Sequence, residues 1–192
     1  MAINAYARAV TDLAVVPIAK GLVRAGATPN WLTFAGLVVT LVGVAVVLAV
    51  DPRAGALVLA VGSIVDAFDG TVARLRGSSS RFGAFYDSVT DRVSDAAILG
   101  AAAWLVRDDP LLFAVAMVAL AAAQITSYVR AKAESLGWDA TVGLIERPER
   151  MIIVILAIGF GALPLALWVL AAGGLVTIAQ RLRAVLRQAA PS

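Results

Sequence analysis

Residues 65–95 read VDAFDGTVARLRGSSSRFGAFYDSVTDRVSD. They place Asp66, Asp69, Asp87 and Asp91 inside segments otherwise apolar enough to cross a membrane. An ionised carboxylate at such depth is costly, so four of them imply something that makes them favourable together. Clustered oxygen ligands suit hard divalent cations such as Mg²⁺, and such cations suit phosphate chemistry.

The spacing gives the cluster a geometry. Asp66 and Asp69 stand three apart and Asp87 and Asp91 four apart, so each pair occupies one face of a helix. The turn between them holds Gly77 and Ser78, Ser79 and Ser80, which predicts two antiparallel neighbouring helices with their carboxylates converging on one point. Gly70 and Gly83 let a ligand or a neighbouring backbone come close, and Arg74, one turn beyond Gly70, can clamp a phosphate. Acids at depth can also simply pair with arginines such as Arg74 or Arg92. Four acids with two glycines and an arginine exceed what ion pairing needs.

Outward from this stretch, the chain is built for lipid. Of its 192 residues 61% are hydrophobic, and the mean hydropathy of +0.90 lies far outside the soluble globular range. Residues 31–50 and 110–129 each run 20 residues without a charge, enough to cross the hydrocarbon core. The longer uncharged run 151–180 is broken near its middle by Gly159, Gly161 and Pro164 and reads as two helices, one starting near Pro148 and one continuing into Arg181. Helices over 54–76 and 82–106 carry the aspartates. The expected fold is therefore all-α and integral to the membrane, with six transmembrane helices preceded by an N-terminal interfacial amphipathic helix. The chain 1–192 forms one domain in this reading, with 1–25 as the juxtamembrane helix and 26–192 as the six-helix bundle. Ile3, Tyr6, Val10 and Leu13 recur at helical spacing, interrupted by Arg8 and Asp12, which suits a helix lying in the headgroup layer with a bend at Pro17.

The charges orient the bundle. Of 16 Lys and Arg residues only Arg53 and Arg107 fall in the short loops of one face. Asp51, Asp108 and Asp109 mark that same face. The positive-inside rule makes the opposite face cytoplasmic, with both termini and the aspartates on it. The chain has neither cysteine nor histidine, which removes disulfides, thiolate or imidazole metal sites and any Cys/His or Ser/His nucleophile. Catalysis must use carboxylates, cations, hydroxyls and metal.

Asp66-x2-Asp69-Gly70-x2-Ala73-Arg74-x8-Gly83-x3-Asp87-x3-Asp91 matches the signature of the CDP-alcohol phosphotransferase family, which the chain resembles over most of its length. The resemblance implies transfer of a substituted phosphate from a CDP-linked donor to an acceptor hydroxyl with release of CMP. It also implies a homodimer in the cell membrane using two Mg²⁺ ions, with Mn²⁺ possible, and no nucleic acid as partner. By matching position, Asp66, Asp69, Asp87 and Asp91 are implied metal ligands, and Asp91 is the implied general base. Gly70, Arg74 and Ser80, together with the segment Pro29, Asn30, Trp31 and Leu32, are the implied contacts to the CDP-diacylglycerol donor. Asp95 continues the stripe one turn after Asp91 but stands outside the signature and reads as structural.

For the acceptor, Ser127, Arg130 and Lys132 end the fourth crossing, Arg147 and Arg150 open the fifth, and Arg181 closes the sixth. Arginines there serve as anchors to anionic lipid, or form a cationic pocket for an acceptor that carries its own phosphate. The segments SYVRAKAE and GLIERPER resemble those of the actinobacterial phosphatidylinositol phosphate synthases, which implies inositol 1-phosphate as acceptor and Ser127, Arg130, Arg147, Arg150 and Arg181 as its phosphate site. Glycerol 3-phosphate, as in a phosphatidylglycerol phosphate synthase, is the alternative acceptor. A transporter could also place acids at depth, but the acids lie near one membrane face and carry a phosphotransfer signature.

Overall fold

Most helix starts in this chain are set by a few residues. Thr28 caps α2 (Pro29–Ala49), Asp51 caps α3 (Pro52–Arg76) and Asp109 caps α5 (Pro110–Ser135), each just ahead of a proline in the first turn. The side-chain oxygen satisfies a free N–H while the proline sits where no N–H is needed. Ser80 caps α4 (Arg81–Leu105), accepting from Gly83 N at 2.9 Å. Glu146 and Glu149 form a capping box at the start of α6 (Arg147–Phe160). Both α3 and α6 end on a glycine in the left-handed region, Gly77 at φ 60° and Gly161 at φ 72°. Gly161 allows α7 (Leu163–Ala189) to begin almost at once.

This computed structural model describes residues 16–77 and 80–189, and the regular structure among them is helical. A further helix, α1, covers 16–24 and includes Pro17. The stripe of Ile3, Tyr6, Val10 and Leu13 lies outside the described residues, as do Ser78 and Ser79. Helices α5 and α7 run on past the uncharged segments, to Ser135 and Ala189. An uncharged run marks the part of a helix suited to hydrocarbon, whereas Arg130 and Arg183 are good helix formers that let the hydrogen-bonded ladder continue into the polar layer.

Helices α2, α3, α5 and α7 are each long and apolar enough to cross a membrane. Helix α4 has the length, at 25 residues, but carries Asp87, Asp91, Arg92 and Asp95. Helix α6 has only 14 residues, about 21 Å of rise. Large apolar side chains point outward across the molecule, among them Trp31 at 67% and Phe160 at 81% exposure. In water such a surface would be a liability; against acyl chains it is the expected exterior. The architecture is that of an all-helical membrane protein.

Small residues build the interior. The core joining α2 to α7 is rich in alanine, with Leu59, Leu99, Met151 and Leu167 among its larger members. Helices with small residues at their contacts approach closely, which is how association is gained where apolar burial supplies no drive. At Gly55 of α3 a Cβ would stand 2.5 Å from the backbone nitrogen of Val47 in α2. Helix α1 closes the other end of this pair, with Ala19 packed on Leu32 and Val72. The expected α3–α4 neighbourhood differs in the structure: the two helices scarcely touch, and each packs instead on α2 and α6. Their separation leaves the space into which the carboxylates project.

Candidate active site

Three of the four signature aspartates meet at one point. Asp66 and Asp69 from α3 and Asp87 from α4 each bring a carboxylate oxygen within 4.8 Å of the other two. Thr33 of α2 donates its hydroxyl to Asp69 Oδ2 at 2.6 Å. Gly36, one turn further along α2, leaves room for the α3 backbone at Asp66, where a Cβ would stand 3.2 Å from its Cα. Asp91 lies outside this group of three. Its Oδ1 is 2.8 Å from Arg147 Nη2, and its Oδ2 is 3.6 Å from Arg92 Nη2. The Arg147 guanidinium also donates to Asp66 Oδ2 at 3.1 Å through both Nη atoms, tying the α3 and α4 acids together from α6. Asp69 and Asp87 form no ion pair among the described residues. Clustered, part-buried carboxylates, two of the three without an arginine partner among the described residues, are the donor set a hard divalent ion requires.

On one side of the acids, between α2, α3 and α4, opens a cleft of about 170 Å³. Pro29, Asn30, Gly70 and Ser80 line it together with Thr33 and Asp69. The other three residues expected there are not part of its lining. Leu32 is buried in the contact with α1, because the helix period turns it to the opposite face from Asn30. Trp31 is turned outward and shares a separate recess with Phe34, Phe82 and Tyr86. Arg74 is exposed, and its Nη2 donates to Thr71 Oγ1 at 3.0 Å.

On the other side, between α4, α5, α6 and α7, lies a larger cavity of about 440 Å³. Ser127, Arg130, Arg147, Arg150 and Arg181, the full set read from sequence, all line it. Asp87 lines both spaces, so the acid cluster stands between them. Five arginines and four carboxylates face this cavity. Arg130 pairs with Glu134 at 2.8 Å. Buried Arg181 donates to Val142 O, Thr126 O and Glu146 Oε1, so it also fastens the α5–α6 loop and the start of α6 to α7. Four buried polar atoms lack a hydrogen-bond partner among the described residues: Asp91 Oδ1, Arg92 Nε, Thr126 Oγ1 and Arg150 Nε. All four belong to residues lining this one cavity. Arg147 is close to the first of them without the alignment of a hydrogen bond. Buried polar groups are rarely left unsatisfied, so their concentration at one place marks a site for a polar ligand.

The CDP-alcohol phosphatidyltransferase family model matches residues 26–185, nearly the whole bundle. The chain belongs to this family.

Among its relatives, the phosphatidylinositol phosphate synthase of Streptomyces avermitilis is 38% identical over 98% of this chain and 84% of its own length. That of Corynebacterium glutamicum is also 38% identical, over 92% of this chain and 86% of its own. The crystal structure of Mycobacterium tuberculosis phosphatidylinositol phosphate synthase (PgsA1) with CDP-DAG bound superposes with a TM-score of 0.82. It is 35% identical and covers 90% of this chain and 93% of that one. The same enzyme in complex with manganese and citrate gives a TM-score of 0.81 at 35% identity, covering 90% of this chain and 88% of that one. The present chain is accordingly a transferase of phospholipid synthesis.

Two features of this phosphatidyltransferase escaped the sequence reading. Thr33 carried no signal beyond its position one turn after Pro29 in an apolar run. Asp95 was visible as the continuation of the Asp87–Asp91 stripe, but its partners Arg147 and Arg150 lie more than 50 residues away. Only the packing of α6 on α4 brings them together.

Proposed function

We propose that the chain is a phosphatidylinositol phosphate synthase, transferring the phosphatidyl group from CDP-diacylglycerol to inositol 1-phosphate with release of CMP. The observation that carries this reading is the acid cluster standing between two spaces of different chemistry. The cleft at Asn30, Gly70 and Ser80 suits the CDP headgroup, and the arginine cavity suits an acceptor bearing a phosphate. The name of the similar enzymes and the CDP-DAG bound in one of their structures support the same assignment.

Asp66, Asp69 and Asp87 would hold a divalent ion, with Asp91 reaching a second. Two Mg²⁺ ions there, or Mn²⁺, would offset the charge on the pyrophosphate and on departing CMP. Asp91 takes the proton of the acceptor hydroxyl as that oxygen bonds to the β-phosphorus. The bond from that phosphorus to the bridging oxygen breaks, and the oxygen leaves with CMP. Arg130, Arg147, Arg150 and Arg181, with Ser127, hold the acceptor phosphate and so orient the acceptor with a hydroxyl toward the donor.

Residues 1–192 form one domain in this proposal, with the first 25 as a juxtamembrane helix and six crossings after them. Helix α6 completes the count by starting below the headgroup level, at the depth of the acids, so that its short length suffices. The protein works as a homodimer in the plasma membrane, as the family resemblance implies, with its active site and both termini cytoplasmic, the orientation the distribution of arginines favours.

The test is CMP release by purified protein with CDP-diacylglycerol and Mg²⁺, comparing inositol 1-phosphate, free inositol and glycerol 3-phosphate. Turnover with inositol 1-phosphate alone is expected. Turnover with glycerol 3-phosphate instead would keep the acid chemistry and overturn the acceptor.

A further inference from the structure

Asp95 sits on α4 one turn beyond Asp91 and has no exposed surface at all (0%). An ionised carboxylate buried to that degree is strongly unfavourable unless cations and hydrogen bonds surround it. Both of its oxygens meet guanidinium groups from α6. Oδ1 accepts from Arg147 Nε at 3.4 Å, and Oδ2 accepts from Arg150 Nη2. Arg150 is itself only 4% exposed, and its side chain makes no other hydrogen bond or ion pair among the described residues. Asp95 is thus the one protein group that fixes its direction, and it does so from one edge only. The Nε of Arg150 is left without a partner while the residue lines the arginine cavity.

Arg147 is drawn two ways. Its Nη atoms reach Asp66 and Asp91 in the acid cluster, while its Nε is held by Asp95. Without Asp95, Arg147 would keep only its contacts to these two acids, and Arg150 would lose the one anionic partner it has among the described residues. A buried ion pair that serves packing alone turns its partners into the core. Here both partners border a cavity rich in unsatisfied polar atoms.

We propose that Asp95 is a positioning residue for acceptor recognition, tethering Arg147 by its Nε and aiming Arg150 at the phosphate of the incoming phosphorylated polyol. The inference rests on the arginine cavity being the acceptor site. Asp95 touches neither substrate; it acts through the two arginines, and its carboxylate is needed because each of its oxygens must carry charge toward a separate guanidinium.

The experiment is steady-state CMP release by the full-length protein in detergent, for D95N, D95E and R150Q beside the unaltered enzyme. D95N is expected to raise the KM for inositol 1-phosphate on the order of tenfold. Its KM for CDP-diacylglycerol should move by less than about twofold, which is the signature of lost acceptor binding. An unchanged acceptor KM, or equal changes in both KM values with a lowered Tm, would overturn the proposal. If D95N does not fold, D95E carries the test, since it keeps the charge but displaces both oxygens by a methylene. A selective rise in acceptor KM is again expected, and its absence again refutes the role. R150Q separates this idea from the reading beneath it. If R150Q leaves the acceptor KM alone, the cavity is not the acceptor site; if R150Q raises it and D95N does not, the site stands and Asp95 does not position it.

Discussion

Asp91 on α4 and Asp69 on α3 show how two of the signature acids divide the work. Asp91, proposed as the base, lies at the wall of the arginine cavity with its Oδ1 buried and 2.8 Å from Arg147 Nη2. D91N keeps the shape and removes the base, so CMP release should fall by roughly 10²-fold or more. Mn²⁺ binding through Asp66, Asp69 and Asp87 should persist in the same variant, as a titration followed by electron paramagnetic resonance would show. Near-normal CMP release would remove Asp91 from the base role. Asp69 depends on the hydroxyl of Thr33 at 2.6 Å. Substituting Thr33→Val leaves that carboxylate unoriented and is expected to weaken Mn²⁺ affinity about tenfold or more. The same titration checks it, and an unchanged affinity would mean that the bond is incidental.

Helices place these groups, and two contacts control the placement. The α2–α3 contact is so close at Gly55 that a side chain there meets the Val47 backbone at about 2.5 Å. Gly55→Val should force the pair apart at a cost of about 1–3 kcal/mol, read as a lower Tm in detergent. Because Gly55 lies three turns before Asp66 on α3, about 16 Å along the helix, the folded fraction should still bind Mn²⁺. The start of α6 is set differently. Thr177 of α7 accepts from the backbone N–H groups of Leu144 and Ile145, both at 3.1 Å, and donates to Gly173 O at 2.8 Å. Arg181, one turn on, fastens Val142 and Glu146. Thr177→Val leaves the buried N–H of Ile145 and the part-buried N–H of Leu144 without their acceptor, about 1–3 kcal/mol for the buried one. It should lower Tm and raise the KM for inositol 1-phosphate together, because the loop it frees leads directly into Arg147.

The whole molecule sets charge against depth. With 16 basic residues against 13 acidic ones and no cysteine, single introduced cysteines report topology without interference. Asp108→Cys and Leu136→Cys fall at exposed positions, Asp108 after α4 and Leu136 after α5. In intact cells a membrane-impermeant maleimide should label the first only, and reach the second after permeabilisation; the reverse pattern would invert the orientation. Much of this architecture follows from the chain read alone. The uncharged runs announce helices that can sit in lipid, and Asp-Pro at 51–52 and 109–110 marks two of their starts. The aspartate spacing announces a shared face, because helical periodicity and the cost of a charge in hydrocarbon are local properties of sequence. What stays hidden is every choice made between helices. Nothing local says that α3 and α4 stand apart, so that Asp87 borders two spaces. Nothing local turns Leu32 inward and Asn30 toward the cleft, or brings Arg147 and Arg150 to Asp95 across more than 50 residues. Those outcomes depend on which small residues let which backbones approach, and that is decided only when all the helices pack at once.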